Sequence, residues 1–354
     1  MALLVPDVAW AEDTNEPESE VKFGNIYIGD NVIDLDDSES VIEFSSDYLS
    51  IDIRKMAEDT CVVLTLNGYE YEGPGVNGVG GIKYSGLHPL VLDLNGMNKI
   101  SITGDPNNEG ATAGVFGQIL ILTGDGSLEV NMAPSVRYGV GVMARYLLST
   151  SPYVMEEWEM SATDYKFFTG KVTVNNYGEN SAIGIYPVFE GYLGGGEYEL
   201  NVFAEGQNKI GLMGGLKFLA DATQITIDCP HGRGLAMPGN TRFIDALVEV
   251  SADCGYFSTE LPPVVESTQA GVEYIVMAGE DAQSAVTVDL QAEDVIAILQ
   301  AAKYLKICES SQTGTALQTI VAGTDSTTGY SYNLLGQRVS ATYNGVVIKH
   351  GKKL

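Results

Sequence analysis

Three five-residue blocks recur at a fixed interval: Leu64-Thr65-Leu66-Asn67-Gly68, Leu92-Asp93-Leu94-Asn95-Gly96 and Leu120-Ile121-Leu122-Thr123-Gly124, each starting 28 residues after the last. A period in the range of 20–50 residues is the mark of a repeat architecture, and apolar residues at every second position within a block mark a strand. Related blocks follow. Ile100-Ser101-Ile102 and Leu128-Glu129-Val130 are again 28 apart, as are Val172-Thr173-Val174 and Leu200-Asn201-Val202, before Ile225-Thr226-Ile227 and Val248-Glu249-Val250 at intervals of 25 and 23. A glycine-apolar step precedes most blocks: Gly81-Ile82, Gly114-Val115, Gly184-Ile185, Gly211-Leu212 and Gly234-Leu235. A strand of three to five residues cannot bury its inward side chains alone. Stacked coils solve this, each strand pairing with its equivalent roughly 4.8 Å away so that Leu, Ile and Val form continuous columns. The expectation is an all-β, right-handed parallel β-solenoid of about six or seven coils. A β-sandwich competes, but hairpin spacing does not explain a register held over three blocks.

The chain divides accordingly. Residues 1–20 begin MALLVPDVAWA, ending in Ala9-Trp10-Ala11 ahead of a polar run, which reads as a signal-peptide remnant and a disordered lead. Residues 21–60 carry Ile26-Tyr27-Ile28, Val41-Ile42-Glu43-Phe44 and Leu49-Ser50-Ile51-Asp52-Ile53, alternating but out of period. This segment is expected to cap the exposed strand edges of the first coil. Residues 61–260 are the solenoid, with an insertion at 145–168. Leu261-Pro262-Pro263 marks a boundary, and 261–329 is expected to be a small β-rich domain or cap. It contains one helix, Ala292 to Cys308, whose Val295, Ile298, Leu299, Ala302 and Leu305 share a face. Residues 330–354 form a tail.

Composition bounds the partners. A formal charge of −28 and a pI near 4.2 argue against nucleic acid and anionic membrane surfaces, which attract basic faces. No stretch is apolar enough for a transmembrane helix. The four cysteines, Cys61, Cys229, Cys254 and Cys308, include no Cys-x-x-Cys pair, which argues against zinc. Cys229 and Cys254 fall near the same point on successive coils, which leaves a disulfide and buried free thiols both open.

The insertion concentrates Tyr146, Tyr153, Trp158 and Tyr165. Flat rings suit stacking on the apolar face of a sugar, so these four are the candidate ligand-binding residues, and an adjacent aromatic and glycine-rich loop, Tyr186 to Tyr198, is expected to belong to the same surface. The competing reading is that the rings cover the side of the solenoid. Asp105, Asn107, Asn108 and Glu109 make an oxygen-rich loop, a candidate calcium site or a solvated turn. His88, His231 and His350 lie in turns or the tail, and no nucleophile-elbow, zinc-protease or P-loop motif occurs. In the 28-residue register the stacked outward positions are Thr65, Asp93 and Ile121 on one column and Ser101 and Glu129 on another, with no gathering of acids and a base.

The tail has a recognisable order: Tyr332-Asn333-Leu334, Gly336-Gln337-Arg338-Val339, Asn344-Gly345-Val346-Val347-Ile348-Lys349, Gly351-Lys352-Lys353. It resembles the short C-terminal module of exported proteins of the Bacteroidetes, similar to the sorting signals of that phylum's dedicated secretion system. His350 stands where that module more often has Asn or Asp. Leu94-Asn95-Gly96-Met97-Asn98-Lys99-Ile100 and Leu120-Ile121-Leu122-Thr123-Gly124-Asp125-Gly126-Ser127-Leu128 are similar to the repeat region of secreted, carbohydrate-binding-like proteins of the same bacteria. These resemblances imply export to the outside or outer surface of a Gram-negative cell and a surface role. Together with the repeat, the acidity and the missing catalytic motifs, they lead to the expectation of a non-catalytic protein that binds glycan or another macromolecule, with calcium the one candidate cofactor. The alternatives are a polysaccharide-active lyase or glycoside hydrolase on a β-helix, and a structural adhesin component.

Overall fold

The computed structural model describes residues 22–310, apart from 57–58, 76–79, 106, 162–163, 207 and 259–260, and eight tail residues in four short strands. The lead at 1–20 lies outside the described residues. So do most of the segment 309–329 and the tail residues Asn333, Leu334, Gly336, Gln337, Asn344 to Val347, His350 and Gly351.

The chain opens with a hairpin, β1 (Asn25–Ile28) and β2 (Asn31–Asp34), a short helix α1 (Ser38–Phe44) and β3 (Leu49–Met56). The first coil comprises β4 (Asp59–Asn67), β5 (Glu70–Gly73) and β6 (Gly80–Tyr84). Next come β7 (Leu90–Asn95), β8 (Met97–Ile102), β9 (Thr112–Gly124), β10 (Ser127–Met132), β11 (Tyr138–Ser149), a helix α2 (Pro152–Glu157) and β12 (Lys171–Asn176). The coils continue through β13 (Ser181–Gly194), β14 (Glu197–Val202), β15 (Asn208–Met213), β16 (Lys217–Asp221), β17 (Gln224–Ala236), β18 (Asn240–Ile244) and β19 (Leu247–Phe257). Then follow β20 (Val264–Glu266), β21 (Tyr274–Gly279), β22 (Val286–Thr287), α3 (Val295–Ala301) and β23 (Tyr304–Glu309). About seven coils stack in parallel, forming a β-solenoid with three faces. One face runs through β4, β7, the second half of β9, then β11, β13, β16, β18 and β20. The second runs through β5, β8, β10, β12, β14, β17 and β19. The third runs through β6, the first halves of β9, β11 and β13, then β15 and the second halves of β17 and β19.

Columns of equivalent aliphatic side chains form the core. Ile82, Val115, Val142, Ile185, Leu212, Leu235 and Tyr256 occupy successive rungs of the third face, and all are buried in one continuous cluster. Ile100, Val130, Val174, Leu200, Ile227 and Val250 do the same on the second.

The register differs from a strict 28-residue period. Leu64 pairs with Leu92, but Leu92 pairs with Leu122, a step of 30. Val174 pairs with Leu200, a step of 26, and Ile227 with Val250, a step of 23. Corner loops vary in length, and a shift by two along a strand of period two leaves every side chain on its original side. Leu66, Leu94 and Leu122 are therefore still buried in one core. The outward columns change partners: Thr65 and Asp93 are followed by Thr123, Glu129 sits over Lys99, and Ser101 over Asn131.

Antiparallel strands cover part of each end of the stack. β3 pairs with β4 from Leu49↔Leu66 to Met56↔Asp59, and β1 pairs with β6. At the far end β23 pairs with β19, Val248 opposite Ile307, and β21 and β22 extend that sheet. Two local expectations are corrected here. Val41 to Phe44 is helical, because the Asp37 side chain caps the backbone N–H of Glu39 and so starts a helix. The helix expected from Ala292 to Cys308 ends at Ala301, and Tyr304 to Glu309 is a strand. The unpaired edge of β19 offers a row of backbone hydrogen bonds that overrides helix propensity. All four cysteines are free thiols. Cys229 lies opposite Ala252 and Cys254 opposite Arg233, so their side chains do not meet.

The tail is a separate unit, Thr313–Leu354. Its described residues form a four-stranded antiparallel sheet of β24 (Ser331–Tyr332), β25 (Arg338–Val339), β26 (Ile348–Lys349) and β27 (Lys352–Lys353).

Candidate functional site

The first face carries an outward column that is apolar: Val63, Val91, Ile121, Leu148, Tyr192 and Leu219. Left open to water it would be an apolar stripe across six coils. The insertion between β11 and β12 folds down onto it. Ser151 starts α2, its Oγ accepting from the Val154 N–H at 3.2 Å, with Pro152 in the first turn. Val154 and Met155 are buried against the column, worth about 1.5–3 kcal/mol each by apolar burial. Tyr165, on the returning strand of chain, is buried in the same cluster, its hydroxyl 3.5 Å from Cys61 Sγ. Thr150 Oγ1 donates to the Lys166 carbonyl at 2.6 Å, and Lys166 Nζ reaches Asp93 at 2.8 Å. Ser151 Oγ also donates to Asp221 Oδ2 at 2.5 Å, tying the start of α2 to β16. Burial pushes the Asp221 carboxyl above its ordinary value; the Ser151 hydrogen bond opposes this and the charge of Asp245 adds to it.

The four aromatic candidates occupy different places. Tyr146 is on β11 rather than in the insertion, Tyr153 is on α2, Trp158 ends α2 and Tyr165 is buried beneath. Tyr146, Tyr153 and Trp158 are half-buried and pack on the edge of the lid cluster. Two rings from β13 join them. Phe189 stacks on Tyr146 with centroids 6.0 Å apart, and Trp158 meets Tyr146 edge-on at 6.0 Å and Tyr192 at 5.3 Å. Phe189 and Tyr192 come from the Tyr186–Tyr198 segment, which is strand on β13 and β14 rather than loop, except at the Gly195-Gly196 corner. Charged groups surround the rings. The Arg145 guanidinium lies over Phe189 at 4.5 Å, Lys217 Nζ lies over Tyr192 at 4.9 Å and bonds Glu157 at 2.9 Å, and the Tyr192 hydroxyl donates to Glu190 at 2.8 Å. The Tyr153 hydroxyl accepts from Arg242, which also holds Glu266. Tyr153 is thus held by a polar network, while Tyr146, Trp158 and Phe189 form the half-open aromatic edge.

The oxygen-rich loop is a set of turns. Asp105 Oδ1 accepts from the backbone and side-chain nitrogens of Asn107, and Asn108 Oδ1 accepts from Gly110 N; Glu109 is exposed. Among the described residues no three acidic, His or Cys groups converge as a metal site. His88 stacks on Phe23 at 4.5 Å, and His231 is exposed, 3.5 Å from Asp253.

A polar ladder escaped the sequence reading. On the second face Asn175 Nδ2 donates to Asn131 Oδ1 at 2.8 Å, Asn201 Nδ2 donates to Asn175 Oδ1 at 2.9 Å, and Asn131 reaches Ser101 at 3.4 Å. The signal was Glu129-Val130-Asn131, Thr173-Val174-Asn175 and Glu199-Leu200-Asn201, with Asn at the second outward position each time. Beside it Lys99 pairs with Glu129 and Lys171 with Glu199. The Asn131 hydrogen bond, then Lys99, hold Glu129 below the ordinary carboxylate value; Lys171, then Asn201, do so for Glu199.

Comparison with protein-family models, with curated proteins and with solved structures finds no match.

Proposed function

We propose that this chain is an exported, non-catalytic solenoid that binds glycan through the aromatic edge formed by Tyr146, Trp158 and Phe189. The observation that carries this is the pairing of half-open rings with charged hydrogen-bonding groups. A pyranose presents one C–H face and a rim of hydroxyls. Rings would take the face, and Arg145, Glu190, Lys217 and Glu157, which lie beside them, would offer hydrogen bonds to the hydroxyls. β11 and β13 fix the positions of Tyr146 and Phe189, so little ordering would accompany binding. The tail's resemblance to a sorting module supports an exported location.

The test is a glycan array probed with the full chain, followed by titration of the best ligand against Tyr146→Ala and Trp158→Ala. Truncating a central aromatic contact typically weakens binding by roughly tenfold or more. Loss of that size in both variants, with the native circular dichroism unchanged, is the expected result. Equal binding by parent and variants, or no glycan bound by the parent, would overturn the proposal.

A further inference from the structure

The three strands of the first coil are closed unequally. β4 is covered by β3 and β6 by β1, both antiparallel. β5, which belongs to the same coil, pairs with β8 on its inner side, and no strand among the described residues pairs with its outer side. The carbonyls of Tyr69 and Gly73 accept from Lys99 and Thr103 below. Backbone groups of a strand alternate in direction, so the N–H and C=O of Glu70 and Glu72 point to the outer side.

Beside this edge lies a groove of about 580 Å³, lined by Phe44, Tyr48, Leu49 and Tyr69 among others. It runs between the end of α1 and the corner that leads from β4 into β5. Tyr48 is 63 % exposed and Met97, next to the Gly68 corner, 82 %. Glu70 is part of the groove's lining, and Glu39, Glu43, Asp47 and Glu72, on the segments that flank it in the chain, are exposed.

We infer that the outer edge of β5 is a docking site for an extended peptide of alternating apolar and basic residues, supplied by another protein. Such a peptide adds one strand to the second face. Its apolar side chains enter the groove against Phe44 and Tyr48, and its basic ones meet Glu70 and Glu72. Charge complementarity selects the basic class, since the exposed Glu70 and Glu72 lie along the edge itself. The site is at the end of the stack, away from the aromatic edge, and does not depend on glycan binding.

The probe is a fluorescent eight-residue peptide of alternating Lys and Val, titrated into the full chain and read by anisotropy at physiological salt. Three controls separate strand addition from simple attraction to an acidic protein. One is the same peptide with alternate backbone nitrogens methylated, one is a Glu–Val peptide, and one is the Glu72→Pro variant, which removes an outward N–H without touching the bonds to β8. Binding by the Lys–Val peptide, weakened at least tenfold by N-methylation and by Glu72→Pro, is the expected result. Tyr48→Ala, which alters no backbone group, is expected to weaken it severalfold. No binding up to millimolar peptide, equal binding of the methylated peptide, or indifference to both variants would overturn the inference. Concentration-dependent self-association abolished by Glu72→Pro would identify a second copy as the occupant and overturn the basic-peptide assignment.

Discussion

At Gly141 the second and third faces come into contact through the core. A Cβ there would meet Val174 Cγ1 and the carbonyl oxygen of Gly184. Gly114 stands in the same relation to Val130 and Gly141, and Gly211 to Ile227 and Gly234. One glycine per coil therefore lets the third face lie directly on the branched side chains of the second. Gly141→Ala is expected to destabilise the chain by about 1–3 kcal/mol, as overpacking does in a close-packed core. A lower midpoint in urea unfolding, with the circular dichroism of the native state unchanged, would bear this out; an unchanged midpoint would show that the core is looser than drawn. Most of this ladder could be read from the glycine-apolar steps. Gly141-Val142 was hidden because Gly139-Val140-Gly141-Val142 alternates on its own and looks like any short strand.

The lid is the element on which sequence and structure differ most. Its place in the chain could be read from the break in the period and from its crowded aromatic residues. Which rings would stay half-open could not, because that depends on an outward apolar column assembled from six coils, and on β13 delivering Phe189 and Tyr192 to meet Tyr146 and Trp158. Likewise α3 stops at Ala301 for a reason that lies outside its own sequence, the open edge of β19. The attachment of the lid through Ser151 and Asp221 has a pH signature. Asp221 has a folded-state pKa above its unfolded value, so it favours the folded state below the ordinary carboxylate value. That contribution fades as pH rises through the folded value. Asp221→Asn keeps the shape and removes the charge. The variant is expected to be more stable than the parent at neutral pH, with the difference closing as pH falls to about 4. Urea midpoints across that range check it. A difference that widens on acidification would mean that ionised Asp221 is a favourable partner of Ser151.

On the scale of the whole solenoid the repeat was legible because burial needs only the correct side of each strand, and alternation supplies that. The pairing register was legible at the steps from Leu64 to Leu92 and from Ile225 to Val248, but not for the blocks between them, since loops at the corners change length without disturbing alternation. The capping principle was equally visible, though not the means. Edge strands demand cover, and the chain supplies β3, β1 and β23 in antiparallel sense, while β5 has no such strand among the described residues. The most direct test of stacking is disulfide formation between paired cysteines introduced on adjacent coils, in a Cys254→Ser background. Thr173 and Glu199 are direct neighbours in the parallel ladder between β12 and β14. Neighbouring strands lie roughly 4.8 Å apart, within disulfide reach, whereas Thr173 and Asn201, two residues further along, fall beyond about 7 Å. Stacked coils in this register predict that Thr173→Cys with Glu199→Cys oxidises readily to an intramolecular disulfide while Thr173→Cys with Asn201→Cys does not. Cross-linking of the second pair alone, or of neither, would contradict the stacking.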